Sequence, residues 1–329
     1  MTSNKLLVIL GPTSTGKTDL AIKLAKKING EIVACDSRQV YVGLDIGTGK
    51  LPSGRWKGED GRGKKGKGFW EMDGVKVWMY DVADPSRQYT VYDFVKDANK
   101  AIDDIAKRRK LPIIVGGTGL YLKALMEGLP NLAIPVDPKL RKELERLSLD
   151  ELQKKLEEVS PQRWGKMNNS DRHNPRRLIR AIEIVIQTEA ADKVDINATA
   201  VDLMSTADYD VLKIGLSATR QILYQRIDER VVERIDQGMI EEARQLHELG
   251  LSFKRMRQLG LECGILADYL EGKITSEQKL VKILQGKIHG LARRQITWFK
   301  KEKNILWFDI LDKNYIIRIE KMVRKWYDS

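Results

Sequence analysis

Cysteine and histidine are scarce in this chain of 329 residues, which contains two cysteines and three histidines. Cys35 and Cys263 lie far apart and form no C-x-x-C pair, which argues against a disulfide framework and against structural zinc. The histidines fall in no metal-binding or catalytic-triad pattern, so carboxylates are the more plausible proton acceptors. Scarce cysteine also fits a reducing compartment.

Long hydrophobic runs are lacking as well. No apolar stretch approaches the roughly 18 residues that cross a bilayer. The first apolar segment, residues 6–10, follows a short polar start in which we see no signal peptide. We therefore expect a cytoplasmic protein that does not associate with membranes.

Acidic residues are outnumbered by basic ones. The chain has 58 Lys and Arg against 46 Asp and Glu, a net charge of +12 and a pI of about 9.4. This bias favours a polyanionic partner such as nucleic acid, although a merely soluble basic surface explains it equally well. Residues 53–68 are rich in Gly, Lys and Arg without any period, so we expect a mobile, solvated loop there.

The pattern G-x-x-x-x-G-K-T occupies residues 11–18, between the apolar run 6–10 and a helical pattern at 19–25. Strand, glycine loop and helix are the context of a phosphate-binding loop, whose amides surround an anion at a helix N-terminus. Lys17 supplies a point charge, and Thr18 can ligate Mg²⁺. We predict that the whole motif binds phosphate: Gly11, Pro12, Thr13, Ser14, Thr15, Gly16, Lys17 and Thr18.

Strand-like and helical patterns alternate through the first 130 residues. This alternation predicts an α/β fold with a P-loop NTPase-like parallel sheet flanked by helices. Ligands of such sheets bind at the carboxyl ends of the strands, where Gly11, Asp36 and Gly116 are expected to converge. ATPases and kinases of this type hold the water shell of magnesium with a second Asp, a role that Asp36 or Asp81 could fill.

Prolines break the chain near residue 130, and helical patterns dominate beyond it. We predict three segments: the first part of the core at 1–130, a helical insertion domain at 131–207, and a second, mainly helical part of the core at 208–329. Along the helix that opens at Thr219, one stripe is basic, with arginines at 226, 230 and 234. The acids at 228, 229 and 233 could pair with it, which favours a solvated helix face.

Six ordered blocks resemble the tRNA dimethylallyltransferases, also called tRNA isopentenyltransferases, over nearly the whole chain. The blocks are GPTSTGKTDLAIKLA at 11–25, DSRQVYVGLDIGTGK at 36–50, VGGTGLYLKALMEGL at 115–129, NPRRLIRAIEI at 174–184, TRQILYQRIDERV at 219–231 and LARRQITWFKK at 291–301. The resemblance implies that the phosphate loop holds dimethylallyl diphosphate rather than ATP. It further implies Mg²⁺-dependent transfer of the prenyl group to N6 of the adenosine 3′ of the anticodon.

Matching positions carry the site residues of that family onto this chain. The resemblance implies that Asp36 accepts the N6 proton and that Thr118 and Arg220 act at the diphosphate or the flipped nucleotide, with Mg²⁺ at Thr18. The helical insertion would face the tRNA, and we expect a monomer. The residues implied to contact the tRNA anticodon stem-loop are Asp36, Ser37, Arg38, Gln39, Arg141, Arg176, Arg177, Leu178, Ile179 and Arg180.

The chain also departs from the family pattern. Val77-Trp78 stands where the family usually has His-His, and Leu261-Glu262 stands where it usually has Tyr and Lys. The basic stretch 53–68 has no counterpart. Three other hypotheses therefore stay open: a P-loop small-molecule kinase, a prenyltransferase of free adenine nucleotides, and a non-catalytic RNA-binding protein. ATP hydrolysis would favour the kinase.

Overall fold

The computed structural model describes residues 4–50, 64–191 and 209–329. The strands are β1 (Asn4–Leu10), β2 (Gly30–Cys35), β3 (Lys64–Gly66), β4 (Phe69–Met72), β5 (Val75–Trp78), β6 (Leu111–Gly116), β7 (Tyr209–Ser217) and β8 (Ile305–Asp309). The helices before β7 are α1 (Lys17–Lys27), α2 (Val91–Lys107), α3 (Gly119–Glu127), α4 (Pro138–Leu144), α5 (Leu149–Val159), α6 (Pro161–Lys166), α7 (Asn169–Arg172) and α8 (Pro175–Ala191). Those after it are α9 (Arg220–Asp236), α10 (Met239–Glu248), α11 (Phe253–Leu259), α12 (Leu261–Leu270), α13 (Glu277–Phe299) and α14 (Tyr315–Asp328).

The strands form one 8-stranded sheet in the order β3-β4-β5-β2-β6-β1-β7-β8. The expected α/β fold with flanking helices is confirmed. The sheet is parallel from β5 to β8, but β3 and β4 pair antiparallel and extend it from β5. Part of the stretch expected to be a loop therefore forms β3, because it pairs with the alternating, half-buried residues of β4. The rest of that stretch, 53–63, lies outside the described residues.

Two interior strands, β1 and β2, show that the sheet is covered on both faces. Nearly every residue of these strands is buried, as their continuous apolar sequence favours for parallel strands under helices. Strand β6 lies between them, and its Gly116 pairs with both Leu10 and Cys35. The carboxyl ends of β1, β2 and β6 therefore lie side by side, and the segments that follow them begin at the same edge.

The chain forms two compact units, one of residues 1–127 with 205–329 and one of residues 128–204. The sequence had suggested boundaries after 130 and 207. The first unit contains the sheet. Within residues 128–191 the second unit consists of α4 to α8, packed around a small apolar core that includes Leu144, Leu156 and Leu178. No helix within the described ranges has the length and apolarity that a membrane span requires.

The apolar segment that begins at Val75 forms a strand of only four residues. Strand β5 stops at Trp78, and Met79 and Asp81 then adopt positive φ angles of 71° and 56°. Trp78, which stands in the position of a family histidine, donates an indole N–H to the buried Glu31 at 2.8 Å. After this turn, the Asp81 carboxylate contacts the buried Lys50.

Candidate functional site

The phosphate loop connects β1 to α1 in the conformation that its glycines permit. Gly11 has a φ of +143°, and a Cβ there would overlap the carbonyl oxygen of Leu216 on the neighbouring strand β7. Gly16 has a left-handed φ of +82° and directly precedes α1. The hydroxyl of Thr15 is buried and donates to the Pro12 carbonyl at 2.9 Å, which holds the loop closed on itself. The turn is thus formed by backbone constraints before any ligand binds.

Lys17 lies inside this loop, and among the residues that the structure describes no carboxylate forms an ion pair with it. Its ammonium donates to the Pro12 carbonyl at 2.6 Å. The pKa of Lys17 is lowered to about 7, chiefly by burial and also by the positive charge of Arg230, while the charge of Asp36 opposes both effects. Lys17, Arg230 and Asp36 are therefore close enough to sense one another's charge. A bound anion carrying several charges would stabilise the ammonium form of Lys17 and raise its pKa.

Helix α9 supplies further cations. Arg226 reaches the carbonyl of Ser14 in the loop at 3.5 Å, and Arg234 donates to the carbonyl of Gly47 at 3.1 Å. Gly49 leaves the space in which the Arg230 and Arg234 guanidinium groups lie side by side, since a Cβ there would overlap both. The expectation of a solvated face is wrong for Arg230 and Arg234, which are not exposed, whereas Arg226 is exposed as expected. In the described parts of the chain, the acids of α9 form no ion pair with these arginines, because the arginines turn toward the sheet edge.

Asp36 and Thr118 follow the neighbouring strands β2 and β6, and the structure brings them together as expected. The Asp36 carboxylate accepts the backbone N–H of Arg38 at 2.8 Å, which fixes its orientation. The Thr118 hydroxyl accepts the N–H of Ser37 at 3.2 Å. Because its oxygen is the acceptor in that bond, the hydroxyl proton remains available to a ligand. A carboxylate, a hydroxyl and the cationic loop thus share one edge of the sheet.

Sequence reasoning missed Gln295 on α13. Its side-chain oxygen accepts the N–H of Thr13 at 2.9 Å, and its side-chain nitrogen donates to the Gly117 carbonyl at 3.0 Å. One amide thereby connects the phosphate loop to the loop after β6. Helical periodicity carried no signal for this role. Only the resemblance of block 291–301 included the residue.

The loop at 41–50 forms another wall of the site, and buried charges hold it in place. Glu242 accepts three backbone N–H groups, from Asp45, Ile46 and Gly47, at 2.6–3.0 Å. Gln39, expected to contact tRNA, donates to the carbonyls of Thr48 and Gly49 at 3.3 Å. This loop is therefore anchored on both sides while it packs against the α9 arginines.

Lys50 anchors the end of that loop and forms an ion pair with Asp81. Its ammonium is fully buried and contacts Asp45 at 2.9 Å and Asp81 at 2.5 Å. Asp81 also accepts the indole N–H of Trp70 at 2.7 Å. Asp81 thus serves this internal network, and the alternative in which it holds the water shell of magnesium is not supported.

Arg220 does not join the cationic cluster. It is the exposed first residue of α9, directly after the capping Thr219. It precedes Arg230 by ten residues, which is roughly 15 Å along the helix axis. The charge beside Lys17 comes from Arg230 instead. The role that the resemblance implies for Arg220, at the diphosphate or the flipped nucleotide, stays a prediction.

Two of the arginines expected to contact tRNA are engaged inside the helical unit instead. Arg141 and Arg180 both pair with the fully buried Glu183, at 2.9 and 2.5 Å. Arg180 also donates to backbone carbonyls of residues 131, 134 and 135. These contacts fix α8 against the segment before α4, so both arginines have a structural role within the unit.

Four more of the expected contacts lie elsewhere on α8. Leu178 and Ile179 belong to the apolar core, with 0% and 8% of their surface exposed, so the expectation that they touch tRNA is wrong for Leu178 and unsupported for Ile179. Arg177 pairs with Asp171. Arg176 is exposed and has no ion pair in the described part of the unit. Helical spacing places Leu178 inward and Arg176 outward, a distinction that a matched block of sequence does not make.

Comparison with known proteins covers almost the whole chain. Two family models match, described as IPP transferase at residues 39–302 and isopentenyl transferase at residues 4–58. The chain is 41% identical over 301 residues to tRNA dimethylallyltransferase 2 of Treponema denticola, covering 91% of this chain and 92% of that protein. It is 36% identical over 313 residues to the tRNA dimethylallyltransferase of Bacillus mycoides, covering 94% and 90%.

Solved structures agree with this similarity. The full-length tRNA isopentenylpyrophosphate transferase of Bacillus halodurans superimposes with a TM-score of 0.66 at 33% identity, covering 98% of this chain and 96% of that one. A eukaryotic dimethylallyltransferase acting on tRNA has the same fold, with a TM-score of 0.77 at 24% identity. The second likeness covers 99% of this chain and 80% of the other.

The lowered pKa of Lys17 predicts a proton linkage. At pH 8 the lysine of the free protein is mostly neutral, because its pKa is about 7. A bound diphosphate favours the ammonium form and raises that pKa. We expect binding of inorganic pyrophosphate at pH 8 to take up nearly one proton, and less at pH 6, where the lysine is already charged. Calorimetry in two buffers of different ionisation enthalpy measures the uptake. Lys17→Met should abolish it, and an unchanged uptake would contradict the assignment.

The two arginines of α9 give a matched pair of substitutions. Arg230→Gln should weaken pyrophosphate binding by about tenfold or more, because it removes a charge from a poorly hydrated site. Arg220→Gln should change it less than about twofold, since an exposed and distant charge is screened. The same calorimetric titration measures both affinities. An equal loss of pyrophosphate affinity in the two variants would show that Arg220 also contributes to the site.

Proposed function

Because the chain belongs to the IPP transferase family, whose curated relatives here are tRNA dimethylallyltransferases, we propose that it prenylates tRNA. The specific reaction is transfer of the dimethylallyl group of dimethylallyl diphosphate to N6 of the adenosine 3′ of the anticodon. One observation supports this most strongly. A phosphate loop with two cations, Lys17 and Arg230, adjoins the carboxylate of Asp36 at one edge of the sheet.

The phosphate loop would bind the leaving group. Loop amides, Lys17 and Arg230 surround a position suited to the diphosphate, and Arg226 lies at the loop's outer side. As the allylic C–O bond breaks, its electron pair moves to the oxygen that joined the allylic carbon to the diphosphate. Cations already fixed around that oxygen stabilise the developing charge without reorganising, which is the usual source of large rate gains.

Asp36 would accept the proton. The N6 lone pair attacks the allylic carbon, a C–N bond forms, and one N6 proton passes to the carboxylate. The exocyclic amine is a weak nucleophile, so a base that takes its proton in the transition state accelerates the step. The Arg38 N–H holds one carboxylate oxygen in place. The Thr118 hydroxyl, fixed by Ser37, is placed to donate to the diphosphate or to the nucleotide.

The donor set fits a magnesium ion held mainly by substrate. In the described ranges no three His, Cys, Asp or Glu side chains gather into a metal site. Mg²⁺ commonly keeps several waters and binds through one or two protein oxygens plus phosphates. Thr18, the second residue of α1, offers such an oxygen beside Lys17. When bound, the ion would neutralise part of the charge of the departing diphosphate.

A direct assay tests the reaction. The protein is incubated with dimethylallyl diphosphate, MgCl₂ and tRNA, the tRNA is digested to nucleosides, and isopentenyladenosine is sought by mass spectrometry. We expect the product with tRNA and none with AMP or ATP as acceptor. Product from free nucleotides would favour a nucleotide prenyltransferase, and rapid ATP hydrolysis would favour a kinase. No product with any acceptor would refute prenyl transfer.

Asp36→Asn tests the proton acceptor. Asn keeps the size of the side chain and an acceptor oxygen but loses basicity. We expect kcat to fall by about 10²–10⁴ with little change in donor binding. Single-turnover rates should be measured across a magnesium titration. A residue that only caps the following turn would tolerate Asn, and one that holds a magnesium-bound water would recover at high Mg²⁺. Either outcome would remove Asp36 from the role of base.

Arg176 and Arg180 separate tRNA contact from structure. Arg176→Gln should weaken tRNA binding and reduce the slope of log K against log salt by about 0.9, the contribution of one phosphate contact on a duplex. Arg180→Gln should leave that slope unchanged but lower the unfolding free energy by about 1–3 kcal/mol, because Glu183 and three carbonyls lose a donor. Filter binding at several salt concentrations and urea unfolding distinguish the two. A reduced slope in Arg180→Gln would show that this arginine contacts RNA after all.

A further inference from the structure

Tyr80 lies two residues beyond β5, at the edge of the sheet that carries the phosphate loop. Strand β5 pairs in parallel with the adjoining strand β2, so the chain leaves both strands at the same edge. The segment that follows β2 begins with Asp36. Backbone hydrogen bonds hold the two segments together, because the N–H groups of residues 82–83 both donate to the Val40 carbonyl, at 2.8 and 2.9 Å. Tyr80 is therefore held near the proposed proton acceptor.

The backbone on either side of Tyr80 has a costly conformation. Met79 and Asp81 both have left-handed φ angles, although neither is a glycine. Such angles persist only where surrounding contacts enforce them, and they often occur at functional sites. Here Asp81 supplies the contacts, because its carboxylate pairs with the buried Lys50 and accepts the indole N–H of Trp70. The turn thus gives the Tyr80 side chain a fixed direction.

The ring of Tyr80 is packed, whereas its hydroxyl is unpaired. Only 1% of the residue is exposed, and the ring meets that of Trp70 edge to face, with 5.6 Å between the two centroids. Among residues 4–50, 64–191 and 209–329, none forms a hydrogen bond with the Tyr80 hydroxyl. Hydroxyl groups of buried side chains usually have a partner, because an unpaired one is costly. A bound ligand would supply the missing partner.

The charged groups of the site lie close to this hydroxyl. Gly49 leaves the space for the Arg230 guanidinium, and the residue that follows Gly49 contacts Asp81, the neighbour of Tyr80, at 2.5 Å. Burial and the negative charge of Asp36 raise the pKa of the Tyr80 phenol, while the charge of Arg230 opposes that shift. The phenol therefore stays protonated at neutral pH and is available as a hydrogen-bond donor.

We propose that the Tyr80 hydroxyl donates a hydrogen bond to the oxygen that joins dimethylallyl diphosphate to its allylic carbon. This inference rests on the proposed prenyl transfer. In that reaction the allylic C–O bond must lie between the cations that hold the diphosphate and the carboxylate of Asp36. The Tyr80 hydroxyl is near both Arg230 and Asp36, so it is placed at the bond that breaks.

A hydrogen bond at this oxygen would act mainly in the transition state. The oxygen is a weak acceptor in the intact donor, and it gains negative charge as it takes the electron pair of the C–O bond. Hydrogen bonds to an oxygen that becomes charged strengthen as the charge develops. The phenol proton stays on Tyr80, and the N6 proton still passes to Asp36.

Tyr80→Phe removes the hydroxyl and keeps the packed ring. We expect the single-turnover rate of prenyl transfer to fall by about 10²-fold, the usual effect of losing one donor to a developing oxyanion. The dissociation constant of dimethylallyl diphosphate, measured by calorimetry without tRNA, should change by less than about threefold. The midpoint of urea unfolding should not fall, because the hydroxyl has no partner in the free protein.

Tyr89→Phe serves as the matched control. It removes a tyrosine hydroxyl that donates to Asp97 at 3.0 Å on helix α2. We expect its single-turnover rate to equal that of the wild type, because this hydroxyl is already paired within the protein.

Donor analogues identify the oxygen that accepts the hydrogen bond. A donor whose two phosphorus atoms are joined by CH₂ has a more basic leaving group than one in which CF₂ joins them. Without the hydroxyl, the leaving oxygen must carry its charge with less help, and the rate depends more steeply on leaving-group basicity. The ratio of the CF₂ rate to the CH₂ rate should therefore be larger in Tyr80→Phe than in the wild type, by about threefold or more.

The outcomes separate this inference from the function on which it rests. If the wild-type protein forms no isopentenyladenosine, prenyl transfer fails and the role of Tyr80 fails with it. If the wild type is active and Tyr80→Phe is equally fast, only the role of Tyr80 is refuted. A slower Tyr80→Phe with an unchanged CF₂-to-CH₂ ratio, a lower unfolding midpoint, or a loss confined to donor affinity would also refute it, because the hydroxyl would then act elsewhere than on the leaving oxygen.

Discussion

Uncompensated positive charge in a poorly hydrated place is the constraint on which this site depends. Burial lowers the pKa values of Lys17, Arg230 and Arg234, and the positive charge of Arg230 lowers those of Lys17 and Arg234 further. Neutral carbonyls, rather than carboxylates, position two of them, at Pro12 and Gly47. The charge thus stays available. A bound polyanion would attract each of these cations, and this attraction would outweigh the cost of holding their charges in a poorly hydrated place.

Nearby carboxylates are kept occupied in ways that preserve this charge. Glu242 is bonded to backbone amides, and Asp45 and Asp81 surround the buried Lys50. Of these acids, Glu242 is close enough to Arg234 for its charge to raise the pKa of that arginine. Their bonds also hold the 41–50 loop in one conformation. The same contacts that give the loop its shape therefore keep the anion site from being filled by the protein's own acids.

The phosphate loop and its partners at the strand ends could be predicted from sequence because their signals are local. Residues 11–18 carry the pattern within eight positions, and Asp36 and Thr118 follow apolar strands whose adjacency the parallel-sheet rule supplies. The hairpin of β3 and β4 could not be predicted from sequence, because two short strands among glycines show little hydrophobic periodicity. Arg230 and Gln295 depend on how α9 and α13 are rotated against the sheet. That rotation is decided by packing between residues far apart in sequence. Leu178 is a further example, because a matched block of sequence does not show that this residue faces the core of the helical unit.

The position of β1 in the sheet bears on how the protein is made. This strand carries the phosphate loop, and it lies between β6 and β7, whose register pairs Leu10 with both Gly116 and Gly215. The β7 neighbour is synthesised only after the helical unit, and Gln295 follows later still. A nascent chain that has left the ribosome up to that unit therefore presents β1 as an open edge, a geometry prone to pairing with other chains. Domain order along the gene thus makes completion of the binding site one of the last events of folding, and a truncated product would be exposed to aggregation before it could bind anything.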